Sequence, residues 1–143
     1  MKLNHLNLTV TDVPEARQFL EKYFGLQSLD KGENNQIAQL RDDNGLDVTL
    51  MKVGEADVQY PASFHIGFIQ ETESQVDEMY QRLKADGFDV PPPRRFHGSW
   101  TFYLRAPGGV VIEVLTQTLQ SGSSYKGDAQ YQTVAEHFKK QGV

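Results

Sequence analysis

Two histidines and one glutamate carry the strongest chemical signal in this sequence. His5 lies in NHLNLTV near the start of the first half, His65 lies in FHIGFI near the start of the second, and Glu113 sits between Ile112 and Val114 in VVIEVL. A carboxylate inside an apolar strand is costly unless it is neutralised, paired or bound to a metal. The two imidazoles are the matching ligands. Two histidines and one carboxylate leave coordination positions open, a set suited to Fe(II), Mn(II), Ni(II) or Zn(II) acting on a substrate through two adjacent oxygens. The chain has no cysteine, which excludes disulfides, thiolate zinc sites and a cysteine nucleophile. His97, in the loop FHGSW, is the spare candidate for acid–base work, and His137 reads as a surface residue. Arg94 and Arg95 form a basic pair that reads either as a grip on an anionic substrate or as a solvated loop pair, with Arg95 the one expected on the substrate side.

These residues need elements to carry them. From Leu3 to Val10 side chains alternate, with His5, Asn7 and Thr9 on one face and Leu6, Leu8 and Val10 on the other, which predicts a strand with one polar face. Asp12, Pro14 and Glu15 then give helix-start signals, Ala16, Phe19, Leu20, Tyr23 and Phe24 make an apolar stripe, and Gly25 stops it. Shorter extended runs follow at 26–29, 36–41 and 46–52, separated by polar turns such as GENN and DDNG.

The second half repeats this order. A strand at 64–69 precedes Thr72 and Gln75, a second capping-box spacing, and a stripe of Val76, Met79, Tyr80 and Leu83 ends at Gly87. Strands are predicted again at 100–105 and 110–115, and LRDDNG at 40–45 is echoed by LRAPGG at 104–109. PPPRR at 91–95 reads as a stiff loop, and residues from Asp128 onward read as a terminal helix. The expected organisation is one domain over 1–143: module one 1–53, linker 54–62, module two 63–117 and a C-terminal extension 118–143.

With 143 residues the chain suits one domain with a real core. Its 38% hydrophobic and 23% charged content is ordinary for a globular chain, and no run approaches the ~18 apolar residues of a membrane span. A net charge of −5 argues against neutralising nucleic-acid phosphates as the main task. MKLNHLNLTV has no signal-peptide pattern, so a cytoplasmic location is expected, with no membrane or nucleic-acid partner.

The strand NHLNLTV followed by a capped helix ending YFGL, together with the closing YLRAPGGVVIEV, resembles the vicinal-oxygen-chelate proteins, the superfamily of glyoxalases, bleomycin resistance proteins and extradiol dioxygenases. The resemblance spans roughly 3–116. It implies an α+β fold of tandem βαβββ modules, forming a curved mixed sheet around a cup. It further implies a divalent metal held by His5, His65 and Glu113 and a small substrate that chelates it. A fourth ligand position falls in the last strand of module one, LDVTL, where Thr49 matches by count from the turn glycines and Asp47 matches by chemistry. Asn7, Thr9, Thr49, Arg95 and Trp100 are expected on the substrate side. Tyr103 is expected beside Glu113 as a hydrogen-bond donor, with His97 at the rim. The activity implied is that of a lyase, isomerase or extradiol-type dioxygenase, the alternative being a non-catalytic drug-binding protein of the bleomycin-resistance kind. Exposed sheet edges, and the habit of the family, imply a homodimer.

Overall fold

The structure is a computed structural model that describes residues 1–32, 34–55 and 57–117. The expected C-terminal helix and His137 lie outside the described residues. Within these the chain runs β1 (His5–Thr9), α1 (Val13–Phe24), β2 (Gln27–Ser28), β3 (Ile37–Arg41), β4 (Asp47–Met51), β5 (Ile66–Ile69), α2 (Glu73–Ala85), β6 (Arg94–Phe96), β7 (Ser99–Arg105) and β8 (Val111–Gln117). Each half is therefore βαβββ, and the class is α+β.

Each module builds its own four-stranded mixed sheet, in the orders β1-β4-β3-β2 and β5-β8-β7-β6. The first strand of each module pairs in parallel with the last, and the remaining neighbours are antiparallel. The parallel pair needs a long crossover, which the helix supplies.

Both helices begin and end where local chemistry requires. Asp12 accepts a hydrogen bond from the Glu15 backbone N–H at 2.9 Å, and Gly25 takes the left-handed conformation that stops α1. Thr72 and Gln75 form a reciprocal capping box at the start of α2. In every strand but β6, where the parity is reversed, the even-numbered residues face the helices. In the first module Leu8, Ala38, Leu40, Val48 and Leu50 pack with Val13, Ala16, Phe19, Leu20 and Tyr23 of α1, all buried. In the second Phe102, Leu104, Ile112 and Val114 pack with Val76, Met79, Tyr80 and Leu83 of α2. At about 1.5–3 kcal/mol for each large side chain removed from water, these two layers dominate the stability of their modules.

The described chain divides into two compact units, Met1–Tyr60 with Ala106–Val110, and Pro61–Arg105 with the chain from Val111 on. The β7–β8 turn thus belongs with the first module's helix and strand. Gly108 O accepts the Thr11 backbone N–H at 3.2 Å, and the Gly108 backbone runs close against Val10 and Ala16. One element departs from the sequence reading. PPPRR does not stay a loop to its end, because Arg94 and Arg95 enter β6 and pair with β7. No helix among the described residues is long and apolar enough to cross a membrane.

Candidate functional site

The odd-numbered residues of every strand but β6 point away from the helix, and this face gathers the polar side chains. On the second unit Glu113 of β8 stands directly opposite Tyr103 of β7 and Gly67 of β5. The Tyr103 hydroxyl donates to Glu113 Oε1 at 2.7 Å. The Thr101 hydroxyl, which has one hydrogen, lies 2.8 Å from the same oxygen and 2.9 Å from Val114 O. With Oε1 fixed in this way, Oε2 turns toward His65, whose Nε2 is 3.4 Å away. His65 immediately precedes β5 and is held by its other ring nitrogen, Nδ1, 2.9 Å from the Ser63 carbonyl. A carbonyl only accepts, so Nδ1 carries the hydrogen and Nε2 aims its remaining position at the carboxylate. Gly67 keeps that side open, since a Cβ there would stand 3.9 Å from Oε2. The side chains are 13% (Glu113) and 30% (His65) exposed, so both are partly desolvated yet reachable from solvent.

The electrostatics follow from these contacts. Burial pushes the Glu113 carboxyl up, but hydrogen bonds from His65, Tyr103 and Thr101 outweigh it and hold the group below its ordinary 4.5. The bond to Glu113 lifts His65 above its ordinary 6.5, against burial and with help from the Ser63 carbonyl. Burial first, and then the Glu113 charge, raise the Tyr103 phenol far above its ordinary value, so it remains a donor.

In metal-free protein these shifts give stability a pH dependence of definite sign. A raised histidine contributes stability that is complete below 6.5 and is lost as pH rises through its native value. A lowered carboxylate contributes stability that is complete above 4.5 and is lost as pH falls through its native value. Both contributions are whole only between about pH 4.5 and 6.5. The gap in unfolding midpoint between wild type and Glu113→Gln, followed by circular dichroism across pH, should be widest in that window. A flat gap would mean that the pair contributes nothing.

The first unit repeats the scaffold with other chemistry. Its register sets His5 opposite Asp47, Asn7 opposite Thr49 and Gln39 opposite Thr49. Thr49 is therefore the positional counterpart of Glu113 and Gln39 that of Tyr103, while Asp47 corresponds to Val111. Asp47 faces Arg41, whose Nε and Nη2 donate to the carboxylate at 2.6 and 3.0 Å and hold it below its ordinary value. His5, Asn7, Thr9 and Thr49 share one face of this sheet, and the His5 Nδ1 lies 3.1 Å from the Asn4 side-chain oxygen.

Three expected site residues stand elsewhere on the second unit. Trp100 is on the helix-facing side of β7, donating to Asp77 of α2 at 2.8 Å, and Arg95 stacks over its ring at 5.3 Å while pairing with Glu73. His97 occupies the exposed turn between β6 and β7, in a left-handed conformation (φ 47°), with its ring against Phe96. Thr101 and Ser63 are the contacts that sequence reasoning missed. Thr101 was open to discovery, because it shares its strand face with Tyr103. Among the described residues, no group of three or more His, Asp or Glu is placed to hold a metal ion.

A family model described as the Glyoxalase/Bleomycin resistance protein/Dioxygenase superfamily matches residues 2–114. Among solved structures, a possible glyoxalase from Bacillus cereus is 56% identical, with 80% of this chain and 98% of that chain covered and a TM-score of 0.73. A lactoylglutathione lyase from Agrobacterium tumefaciens is 21% identical, covering 84% and 96%, with a TM-score of 0.66. A point mutant of the fosfomycin resistance protein FosX from Listeria monocytogenes, complexed with Mn(II) and 1S,2S-dihydroxypropylphosphonic acid, is 23% identical, covering 83% and 94%, with a TM-score of 0.68. The latter two are similar in fold.

Proposed function

Because the chain belongs to the glyoxalase, bleomycin resistance protein and dioxygenase superfamily, we propose that it is a divalent-metal-dependent enzyme acting on a small substrate with two adjacent oxygens. The observation that carries this reading is the approach of His65 Nε2 to Glu113 Oε2 at 3.4 Å. Both atoms are lone-pair donors once His65 is neutral, and such atoms repel unless a cation lies between them. Bonds of about 2.0–2.2 Å to one ion set two ligand atoms about 3.0–3.5 Å apart. The pair therefore suits a divalent ion as well as it suits a shared proton. His5 is proposed as the third ligand, on the module repeat and the family pattern rather than on a distance. The set leaves Asp47 to Arg41.

The metal, when bound, supplies Lewis-acid stabilisation of negative charge developing on substrate oxygen. The protein's own residues do the rest. Tyr103 and Thr101 fix one oxygen of Glu113, so that the other points in a single direction. The Ser63 carbonyl fixes the tautomer of His65. Tyr103 keeps its proton at neutral pH and so orients Glu113 rather than acting as a base. Whether the reaction is of the lyase, isomerase or dioxygenase type depends on the substrate.

The test is equilibrium dialysis of stripped protein against Mn(II), Ni(II), Zn(II) and, without oxygen, Fe(II). About one ion per chain is expected for at least one metal, with binding lost in His65→Ala and weakened in His5→Ala. Wild type that takes up none of these metals would overturn the enzyme reading in favour of a drug-binding protein.

A further inference from the structure

β6 brings a cation onto the face that holds Glu113. Arg94 stands opposite Thr101, Arg95 opposite Trp100 and Phe96 opposite Ser99. Residues directly opposite in an antiparallel pair share a face. Arg94 and Phe96 therefore stand with Thr101, Tyr103 and Glu113, while Arg95 goes with Trp100 to the helix side. The Arg94 guanidinium lies 5.4 Å from the centre of the Phe96 ring, and Phe96 packs in turn against Tyr103 and Val111. The Arg94 charge also reaches Tyr103, where it opposes the upward push of burial and of Glu113. Arg95 is otherwise engaged, by Glu73 and Trp100.

We propose that Arg94 is the specificity-determining residue of this face, and that the substrate carries an anionic head, carboxylate or phosphonate, beside its two chelating oxygens. The proposal rests on the metal reading of His65 and Glu113. Strands lie about 4.8 Å apart, and Arg94 stands across from Thr101 and Leu115, two residues along from Glu113, so the two backbones are separated by about 12 Å. An arginine side chain covers much of that span, leaving a gap of small-molecule size. The planar guanidinium matches either oxyanion with two parallel hydrogen bonds. The Phe96 ring restricts its motion and shields one side from water, which lowers the entropic cost of engaging a ligand. In a protein of net charge −5, a local cation offsets the repulsion that an anion meets at close range.

The test uses the full chain loaded with Mn(II) and three hydroxamates that present the same oxygen chelate. Acetohydroxamate has no further charge, malonomonohydroxamate adds a carboxylate, and phosphonoacetohydroxamate adds a phosphonate. Titration calorimetry should show wild type binding one or both anionic probes at least about tenfold more tightly than acetohydroxamate. The probe that gains more identifies the head group. Arg94→Gln should erase the preference while Mn(II) content and acetohydroxamate affinity stay as in wild type. Arg94→Lys should restore part of it, and Arg95→Gln should leave it whole. Equal affinities in wild type, or a preference that survives Arg94→Gln, would overturn this proposal while leaving the metal reading intact. Uptake of Ni(II), Zn(II) or Fe(II) in place of Mn(II) moves the same test to that ion, and wild type that takes up none of the four would overturn both.

Discussion

Glu113→Gln should leave the metal-free protein folded and weaken its affinity for Mn(II), Ni(II) or Zn(II) by more than about 100-fold, beyond the range typical of an outer hydrogen-bonding partner. The substitution is nearly isosteric. The glutamine oxygen can still accept from Tyr103 and Thr101, which hold Oε1 at 2.7 and 2.8 Å. Its amide N–H can then donate to His65 Nε2 across the present 3.4 Å gap. The fold thus exchanges a charged contact for a neutral hydrogen bond, but the anionic ligand is gone. Metal content by mass spectrometry and unfolding midpoint, measured on one preparation, separate the two effects. A variant that binds metal as wild type does would remove Glu113 from the ligand set. One that unfolds would show the carboxylate to be structural.

The second large effect is expected at Gly108→Ala, a loss of about 2–6 kcal/mol of unfolding free energy. Gly108 has φ +92°, where an alanine is strained by about 1–3 kcal/mol. An added Cβ would also lie 2.9 Å from Val10 Cβ and 3.1 Å from Ala16 Cβ, in a buried layer that cannot yield without repacking, at a further cost of about 1–3 kcal/mol. Gly109→Ala is the control. Its φ of +98° imposes the same kind of strain, yet nothing lies within 4 Å of its added Cβ. Urea unfolding of both variants should show Gly108→Ala clearly the worse, and equal losses would show that the close approach has no energetic weight.

Much of the fold was legible because its signals are local. Asp12 with Gly25, and Thr72 with Gln75, mark helix ends by hydrogen bonds made within four residues, and the alternation of HLNLT needs only its own pleat. What stayed hidden depends on partners distant in sequence. Whether Arg94 or Arg95 shares a face with Glu113 is a question of parity, decided by pairing with Thr101 and Trp100, and a strand shifted by one residue reverses the answer. The same dependence left Thr49 and Asp47 in competition until the register of β1, β3 and β4 set Thr49 in the place of Glu113 and gave Asp47 to Arg41. β6 was masked by three prolines, which predict an irregular segment but not where it ends. His65 and Glu113 were readable as a pair because a carboxylate among Val, Ile and Leu requires a partner. Thr101, whose type is at home in any strand, was marked only by the strand face it shares with Tyr103.

The turn that closes β7 onto β8 supplies residues 106–110 to the unit built mainly from the first sixty residues. A ribosome therefore releases β1 and α1 long before the peptide that seats against Val10 and Ala16 exists. At translation rates of about 5–20 residues per second, the stretch from Phe24 to Gly108 takes about 4–17 seconds. Throughout it the nascent first module waits without its last contacts, and a fragment ending at the linker would remain permanently in that unfinished condition.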